Sequence, residues 1–156
     1  MKSILTRVAM AAVLGAALVA FTGEAQSQQP KKGGGLKGGY TIVSGEESGK
    51  AIPAEKIEGT KVRITEDEFI TVDNKDMKIY VAKYKLDTTK TPWAIELTAI
   101  APKPAEGVKA SGLVERKGDT VKIIYNLPGG KAPESFKTEE KQNLFVLKNE
   151  RKMDKK

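Results

Sequence analysis

Apolar and polar residues alternate in short runs along most of this chain, from Tyr40 to Leu147. In the segment 80–86, tyrosine, alanine, tyrosine and leucine occupy every second position, and lysines stand at 83 and 85. Successive side chains of a β-strand point to opposite faces, so a period of two indicates a strand with one buried face. The breaks between the runs are rich in glycine, proline, asparagine and aspartate, which turns prefer. The pattern therefore predicts a sheet of short strands joined mostly by tight turns.

About eight strands are predicted in roughly 110 residues: 40–44, 62–64, 68–72, 77–86, 93–99, 108–114 and 121–125, with Phe136 and 144–147 closing the series. One short helix is expected at 52–57, because Pro53 suits a first helical turn and Gly59 suits a helix end. Consecutive hairpins give an antiparallel meander, and eight strands can close into a barrel without exposed edges. The predicted fold is an all-β, up-and-down antiparallel barrel with one short helix. An open sandwich is the competing architecture.

In a closed barrel the alternation directs one set of side chains inward: Tyr40, Ile42, Val62, Ile64, Phe69, Tyr80, Tyr84, Trp93, Ile95, Leu97, Val121, Ile123 and Tyr125. Five of them combine a ring with a polar end that needs a partner when buried, and these are the predicted ligand-binding residues: Tyr40, Tyr80, Tyr84, Trp93 and Tyr125. Eight-stranded barrels either fill with side chains or hold one small ligand. The bulky inward rings favour the filled interior.

The N-terminal residues have the pattern of an export signal. A positively charged start precedes the apolar run 8–21, which is about fourteen residues long, whereas a membrane-spanning helix needs roughly 20. Small residues at 23 and 25 suit cleavage after Ala25, and cleavage after Ser27 or a retained signal anchor are the alternatives. We therefore predict a periplasmic or secreted protein without a transmembrane segment once the signal is removed.

Composition divides the whole chain into four predicted segments. The predicted segments are a signal peptide at 1–25, a flexible leader rich in glutamine, lysine and glycine at 26–38, a barrel domain at 39–149 and a charged tail at 150–156. The domain is long enough for one modest core and too short for two. Because it has no cysteine, that core must hold the fold without disulfides.

The chain has no histidine and no cysteine, which limits the chemistry it can perform. Ser-His-Asp and Cys-His nucleophile systems, thiolate redox chemistry and zinc sites built from those ligands are excluded. Carboxylates gather around one predicted hairpin: Glu66, Asp67, Glu68, Asp73 and Asp76. Their spacing does not match a calcium-binding loop, and solvated turns are their commoner place. We expect a protein that is not an enzyme, with no catalytic residue, no metal site and no cofactor.

The net charge of the chain excludes few classes of binding partner. The full chain has 27 lysines and arginines against 20 acidic residues, a net charge of +7, and without residues 1–25 the counts are 25 and 19, a net charge of about +6. The basic residues are dispersed, and the aromatic residues fall on strand positions where core packing is their usual role. This argues against nucleic acid, and leaves an anionic envelope polymer or a protein as partners of a basic exterior.

Several short motifs occur together between residues 38 and 150. They are GYTIVSGE at 39–46 followed by GK at 49–50 and IP at 52–53, YKLDTTK at 84–90 with Pro92, IELT at 95–98, GDTVKI at 118–123, PGG at 128–130 with Pro133, and FKT at 136–138. In this combination the chain resembles the lipocalin-like domains of unknown function that planctomycete bacteria carry in many copies. The resemblance implies a small lipocalin-like barrel over nearly the whole exported domain, and implies no particular ligand or activity.

Two positions depart from the pattern of that family. Tyr40 stands where these domains, like lipocalins in general, tend to have tryptophan in the first strand. Its ring can still plug the floor of the barrel, but the indole N–H is lost. Ile124 stands where the family often has cysteine, so any thiol role of the relatives is missing here.

Two functions are consistent with these features. In the first, the protein is an exported lipocalin-like module that binds a small apolar or amphipathic ligand inside the barrel. In the second, the barrel is filled and the protein is an interaction or inhibitor protein that binds an envelope polymer or a protein through its loops and basic exterior. An apolar interior volume of a few hundred Å³ that opens to solvent would favour the first function, and a packed interior the second.

Overall fold

Strands make up most of the part of the chain that the structure describes, in line with the alternating pattern. The computed structural model describes residues 35–150, so the predicted signal peptide, most of the leader and residues 151–156 of the tail lie outside the described residues. The strands are β1 (Gly38–Glu47), β2 (Lys50–Ala51), β3 (Lys61–Ile64), β4 (Glu68–Val72), β5 (Lys78–Asp87), β6 (Trp93–Ala101), β7 (Lys109–Lys117), β8 (Thr120–Asn126) and β9 (Gln142–Asn149). A four-residue helix, α1 (Ala54–Ile57), and a 3₁₀ turn (Lys103–Ala105) complete the elements. Neither helical segment within 35–150 has the length and hydropathy to cross a membrane.

The strands form one antiparallel meander that closes on itself. β1 pairs with β3, each strand from β3 to β8 pairs with the next one, and β9 pairs back along β1. Eight strands make the wall of the barrel, while β2 only extends the end of β1 through a two-residue turn. This topology confirms the predicted eight-stranded, up-and-down antiparallel barrel and rules out the open sandwich.

The period of two places the apolar face of every strand inside the barrel. All of the side chains predicted to point inward belong to one interior cluster or pack against it. Each fully buried aliphatic or aromatic side chain contributes about 1.5–3 kcal/mol through removal of its apolar surface from water. At Gly112 in β7 the neighbouring strand approaches so closely that a Cβ would overlap the carbonyl oxygen of Ile124. The same sequence pattern therefore determines both the packing of the core and the close approach of the strands in the barrel wall.

The end of the barrel where β1 begins, which we call the closed end, is sealed by residues 35–37. Leu36 is only 1% exposed, and the Tyr40 hydroxyl donates a 2.6 Å hydrogen bond to its carbonyl oxygen. The Arg116 guanidinium donates to the carbonyl oxygen of Gly35, and the ring of Trp93 packs on the same glycine. Leu36 falls within the range predicted as flexible leader. Because its side chain joins the core, the ordered domain begins earlier than residue 39.

The opposite end, which we call the open end, carries α1, the 73–77 turn, the 3₁₀ turn and both ends of the long connection 127–141. The middle of that connection, residues 134–136, borders a surface pocket together with Trp93 and Arg116. The helix follows Pro53 as predicted, and Ile57 from it reaches the interior cluster. Phe136 was predicted to belong with the last strand, and this is wrong, since it lies in the connection and β9 begins at Gln142. Pro133 lacks an N–H for a strand ladder, and the Gln142 side-chain amide instead donates to the Lys131 carbonyl oxygen.

Candidate functional site

The interior of the barrel divides into a packed half and a hollow half. Toward the closed end, Tyr40, Val114 and Val121 are almost completely buried. Toward the open end lies a cavity of about 190 Å³, lined by Ile42, Val62, Phe69, Thr71, Tyr80, Leu97, Tyr125, Phe145 and Leu147. Tyr80 and Tyr125 in this lining are half-buried, in contrast to the fully buried Tyr40. Thr71 and Phe145 in the lining are half-buried as well, so the solvent-facing side of the cavity lies toward the open end.

Small residues and irregular strand pairing keep this half hollow. β1 shifts its register with β9 between Ile42 and Ser44, and β4 shifts its register with β5 after Thr71. Such bulges bend a strand and change where its next side chains point. After the shift, Gly45 stands opposite Phe145, and a Cβ there would lie 3.0 Å from the Phe145 ring and from Ile52. A larger residue at position 45 would push these side chains into the cavity.

The lining is mostly apolar, with a few polar groups near its mouth. Burial raises the pKa of Tyr125 to about 12, against the opposing effect of a hydrogen bond from the Asn143 side chain, and burial also raises the pKa of Tyr80. Both tyrosines therefore remain neutral phenols at physiological pH and can donate a hydrogen bond. The rings of Tyr125 and Phe145 stack with centroids 6.3 Å apart. This arrangement suits a ligand with an apolar body and one polar end.

The five residues predicted to bind a ligand do not form one site. Tyr80 and Tyr125 line the cavity. Tyr40 is bonded to Leu36 at the closed end, and the Tyr84 hydroxyl donates a 2.7 Å hydrogen bond to the Thr65 carbonyl oxygen in the turn before β4. Trp93 packs against the segment that seals the closed end. These three residues all point inward, as predicted, but at a different height of the barrel from the cavity.

Sequence reasoning missed four residues in or beside the hollow half: Thr71, Phe145 and Leu147, which line the cavity, and Asn143 next to Tyr125. Asn143 precedes Phe145 by two positions and stands opposite Tyr125 on one side and Glu47 on the other. Its side-chain oxygen Oδ1 is buried and has no hydrogen-bond partner within residues 35–150. The alternation of Asn143, Phe145 and Leu147 is the signal that could have identified this inward face. Asn143 was not assigned to the last strand because asparagine is a typical turn residue.

The volume of the cavity limits the size of a ligand. Sites for drug-sized molecules usually enclose roughly 300–1,000 Å³, and an apolar cavity of about 150 Å³ is enough to hold benzene. A cavity of about 190 Å³ therefore suits one ring with a short substituent, or a short alkyl chain.

The acidic residues around the predicted hairpin do not come together. Glu66 and Asp67 lie in the turn before β4 and Glu68 begins that strand, all at the closed end, whereas Asp73 and Asp76 lie at the turn after it. Asp73 accepts hydrogen bonds from the backbone N–H groups of Lys75 and Met77, at 2.8 and 2.9 Å, which is a turn-stabilising role. Across the described chain, no group of three or more acidic side chains is arranged to hold a metal ion.

A second concave surface lies on the outside of the barrel. A groove of about 740 Å³ follows the outer faces of β5, β6 and β7. Lys85, Glu96 and Ser111 stand side by side across the three strands, and Lys83, Thr98 and Lys109 form the next such row. The groove therefore carries charges of both signs on the outer faces of the strands, over a lining surface that is mostly apolar.

Comparisons with models of protein families, with curated proteins and with solved structures find no match for this chain. The functional inference therefore rests on the geometry and chemistry of the barrel. The interior cavity is the feature that most restricts what the protein can bind.

Proposed function

We propose that this chain is an exported, non-enzymatic binding protein that takes one small apolar or amphipathic ligand into the hollow half of a lipocalin-like barrel. The observation that carries the proposal is the cavity of about 190 Å³ beside fully packed side chains. Protein interiors are normally close-packed, so a cavity of this size next to a packed core is a candidate site for a bound ligand. The resemblance to lipocalin-like domains supports the barrel that encloses the cavity, and the ligand class rests on the cavity itself.

A ligand would be held chiefly by burial of its apolar surface. Transfer of apolar surface from water contributes about 25 cal/mol per Å². The cavity is already formed, so little reorganisation opposes binding. The neutral hydroxyls of Tyr80 and Tyr125 would orient a polar end toward the mouth. No step in this function needs a nucleophile, which agrees with a chain that has neither histidine nor cysteine.

Export is part of the proposal and is supported by the N-terminal pattern. A charged start, an apolar run of about fourteen residues and small residues at 23 and 25 together favour a cleaved signal. An exported barrel could collect a small ligand from the cell envelope or its surroundings.

The proposal can be tested by thermal unfolding of the barrel with toluene as the probe. A ligand that binds only the folded state raises the stability by RT ln(1 + [L]/Kd), so the melting temperature should rise with toluene concentration. The substitution V62F would fill part of the cavity and should abolish the rise. V43F is the matched control, because Val43 is 51% exposed on the outside of the barrel. A wild-type melting temperature that toluene does not change would count against the proposal.

A second function is favoured by the outer groove of about 740 Å³. The lysines at 83, 85 and 109 could hold an anionic envelope polymer or an acidic protein segment, with Thr98 and Ser111 as hydrogen-bonding groups. Co-sedimentation with an anionic polysaccharide tests this alternative. K85A/K109A should then weaken binding, whereas V62F should leave it unchanged.

A further inference from the structure

Next to Tyr125, which lines the cavity, stand an unpaired acceptor on Asn143 and the Glu47 carboxylate, which forms no salt bridge within residues 35–150. Asn143, Tyr125 and Glu47 stand in one row across β9, β8 and β1. The Asn143 Oδ1 atom is buried and unpaired among the described residues. A buried acceptor without a donor is energetically unfavourable. In native proteins the partner of such a group is usually a water molecule, an ion or a ligand.

One negative charge, that of Glu47, stands in the row of residues next to Tyr125. The Glu47 carboxylate forms no salt bridge with any lysine or arginine in the described part of the chain, although Lys50 stands opposite it in β2. Burial is the main cause of the raised pKa of Tyr125, and the Glu47 carboxylate adds to it in the same direction. The lining of the cavity contains no basic side chain. A carboxylate ligand would therefore meet repulsion, and a cation would meet attraction.

Aromatic rings add a second preference for a cation. Tyr80, Tyr125 and Phe145 all line the cavity, and a cation above the face of such a ring is attracted by the ring's quadrupole. Apolar walls, a buried acceptor, a rim carboxylate and aromatic faces together match one chemical class. That class is a small molecule with a ring or short chain at one end and an ammonium group at the other.

We propose that the cavity binds small primary amines, with the apolar end inside the barrel and the ammonium group between Asn143, Glu47 and the rings of Tyr80 and Tyr125. This inference rests on the proposed binding function and specifies its ligand class. The ammonium group would donate to Asn143 Oδ1, which has no donor within the described residues.

The test compares probes that share one ring: benzylamine, benzyl alcohol, toluene and benzoate, titrated by calorimetry at neutral pH. Benzylamine should bind about tenfold more tightly than benzyl alcohol or toluene, and benzoate should bind most weakly. Raising the salt concentration should reduce the preference for the amine, because the Glu47 carboxylate is exposed.

Variants separate the contributions of the two groups. E47Q and N143A should each lower the affinity for benzylamine about threefold to tenfold and leave the affinity for toluene nearly unchanged. E106Q is the matched control, because Glu106 is exposed near the same end of the barrel, beside the 3₁₀ turn. Toluene binding also reports that each variant is folded with its cavity intact.

The outcomes distinguish failure of the ligand class from failure of the binding function. If toluene and benzyl alcohol bind as tightly as benzylamine, or if E47Q and N143A leave the preference unchanged, the amine inference is overturned and the binding function stands. If none of the four probes binds to the wild-type barrel, both are overturned.

Discussion

The closed and open halves of the barrel interior use similar residues and pack them to different extents. Each half contains tyrosines that point inward, yet Tyr40 is fully buried and bonded to Leu36, whereas Tyr80 and Tyr125 are half-buried beside a cavity. The closed half gains an extra layer, because residues 35–37 fold against it and Arg116 holds them there. At the open half, Gly45 and two strand bulges leave space.

This difference indicates a division of roles between the two halves of the barrel: the closed half stabilises the fold, and the open half leaves volume for a ligand. Dense packing at the closed end supplies the stability that a chain without disulfides needs. The open end can then leave volume empty without unfolding the domain. Binding capacity is commonly placed where the local stability is low. Four predictions test this division, from the largest expected effect to the smallest.

The first prediction compares a tyrosine from each half. Y40A should lower the free energy of unfolding by about 3–5 kcal/mol, because it removes a fully buried ring and leaves the Leu36 carbonyl oxygen without its donor. Y80A should cost only about 1–2 kcal/mol, because its ring already borders a cavity and solvent. Urea unfolding monitored by circular dichroism measures both. Y40F isolates the lost hydrogen bond, and equal losses for Y40A and Y80A would contradict the division.

The second prediction enlarges one valine in each half. V114F should destabilise the barrel by about 1–3 kcal/mol, because Val114 is fully buried in the packed half and has no space beside it. V62F directs the same added volume toward the cavity and should change stability by less than about 1 kcal/mol. Urea midpoints at a constant m-value provide the measurement. A larger loss for V62F than for V114F would show that the cavity is not available to side chains.

The third prediction concerns alkaline pH. Burial raises the pKa of Tyr125 at the open end and of Tyr84 at the closed end to about 12 in each case, while an unfolded tyrosine ionises near pH 10. The folded protein keeps these protons after the unfolded chain has released them. The resulting stabilisation is therefore complete below about pH 10 and is lost as the pH rises toward about 12.

Each tyrosine should account for a stability loss on the order of 1 kcal/mol, reduced from the full shift by solvent screening. Urea unfolding at a series of alkaline pH values measures the loss, and Y125F and Y84F should each flatten part of the curve. Phenolate absorbance supplies an independent reading. If the Tyr125 phenol ionises at its ordinary pH while Tyr84 does not, the open half is wetter than the cavity geometry implies.

The smallest effect is expected at Trp93. This residue lies against Gly35 at the closed end and does not line the cavity. Its fluorescence should therefore change little when toluene or benzylamine binds, and W93F should keep the affinity of either probe within about twofold. Loss of binding in W93F, with the fold retained, would move the ligand site to the closed half.

The sequence alone predicted most of the strands, the meander and most of the inward face, and left an open sandwich as an alternative to the closed barrel. Tyr40, Val62, Ile95 and Ile123 were all placed inside from a period of two, because burial of one face leaves only one register without exposing the apolar set. The short helix after Pro53 followed from local turn chemistry. Phe136 was misplaced because an aromatic residue favours a strand by propensity, whereas its segment is held by side-chain hydrogen bonds from distant residues.

Only the tertiary structure decided which inward side chains share a cavity. Alternation reports the face on which Tyr40, Tyr80, Trp93 and Tyr125 lie, but their heights along the barrel axis depend on strand pairing and on bulges such as the one after Ile42. The same pairing brings Asn143 beside Tyr125 and Glu47, which are distant in sequence. The packed or hollow state of each half depends on how much side-chain volume meets at each height. Side chains from all eight strands contribute to this volume, so the sequence of any single strand does not determine it.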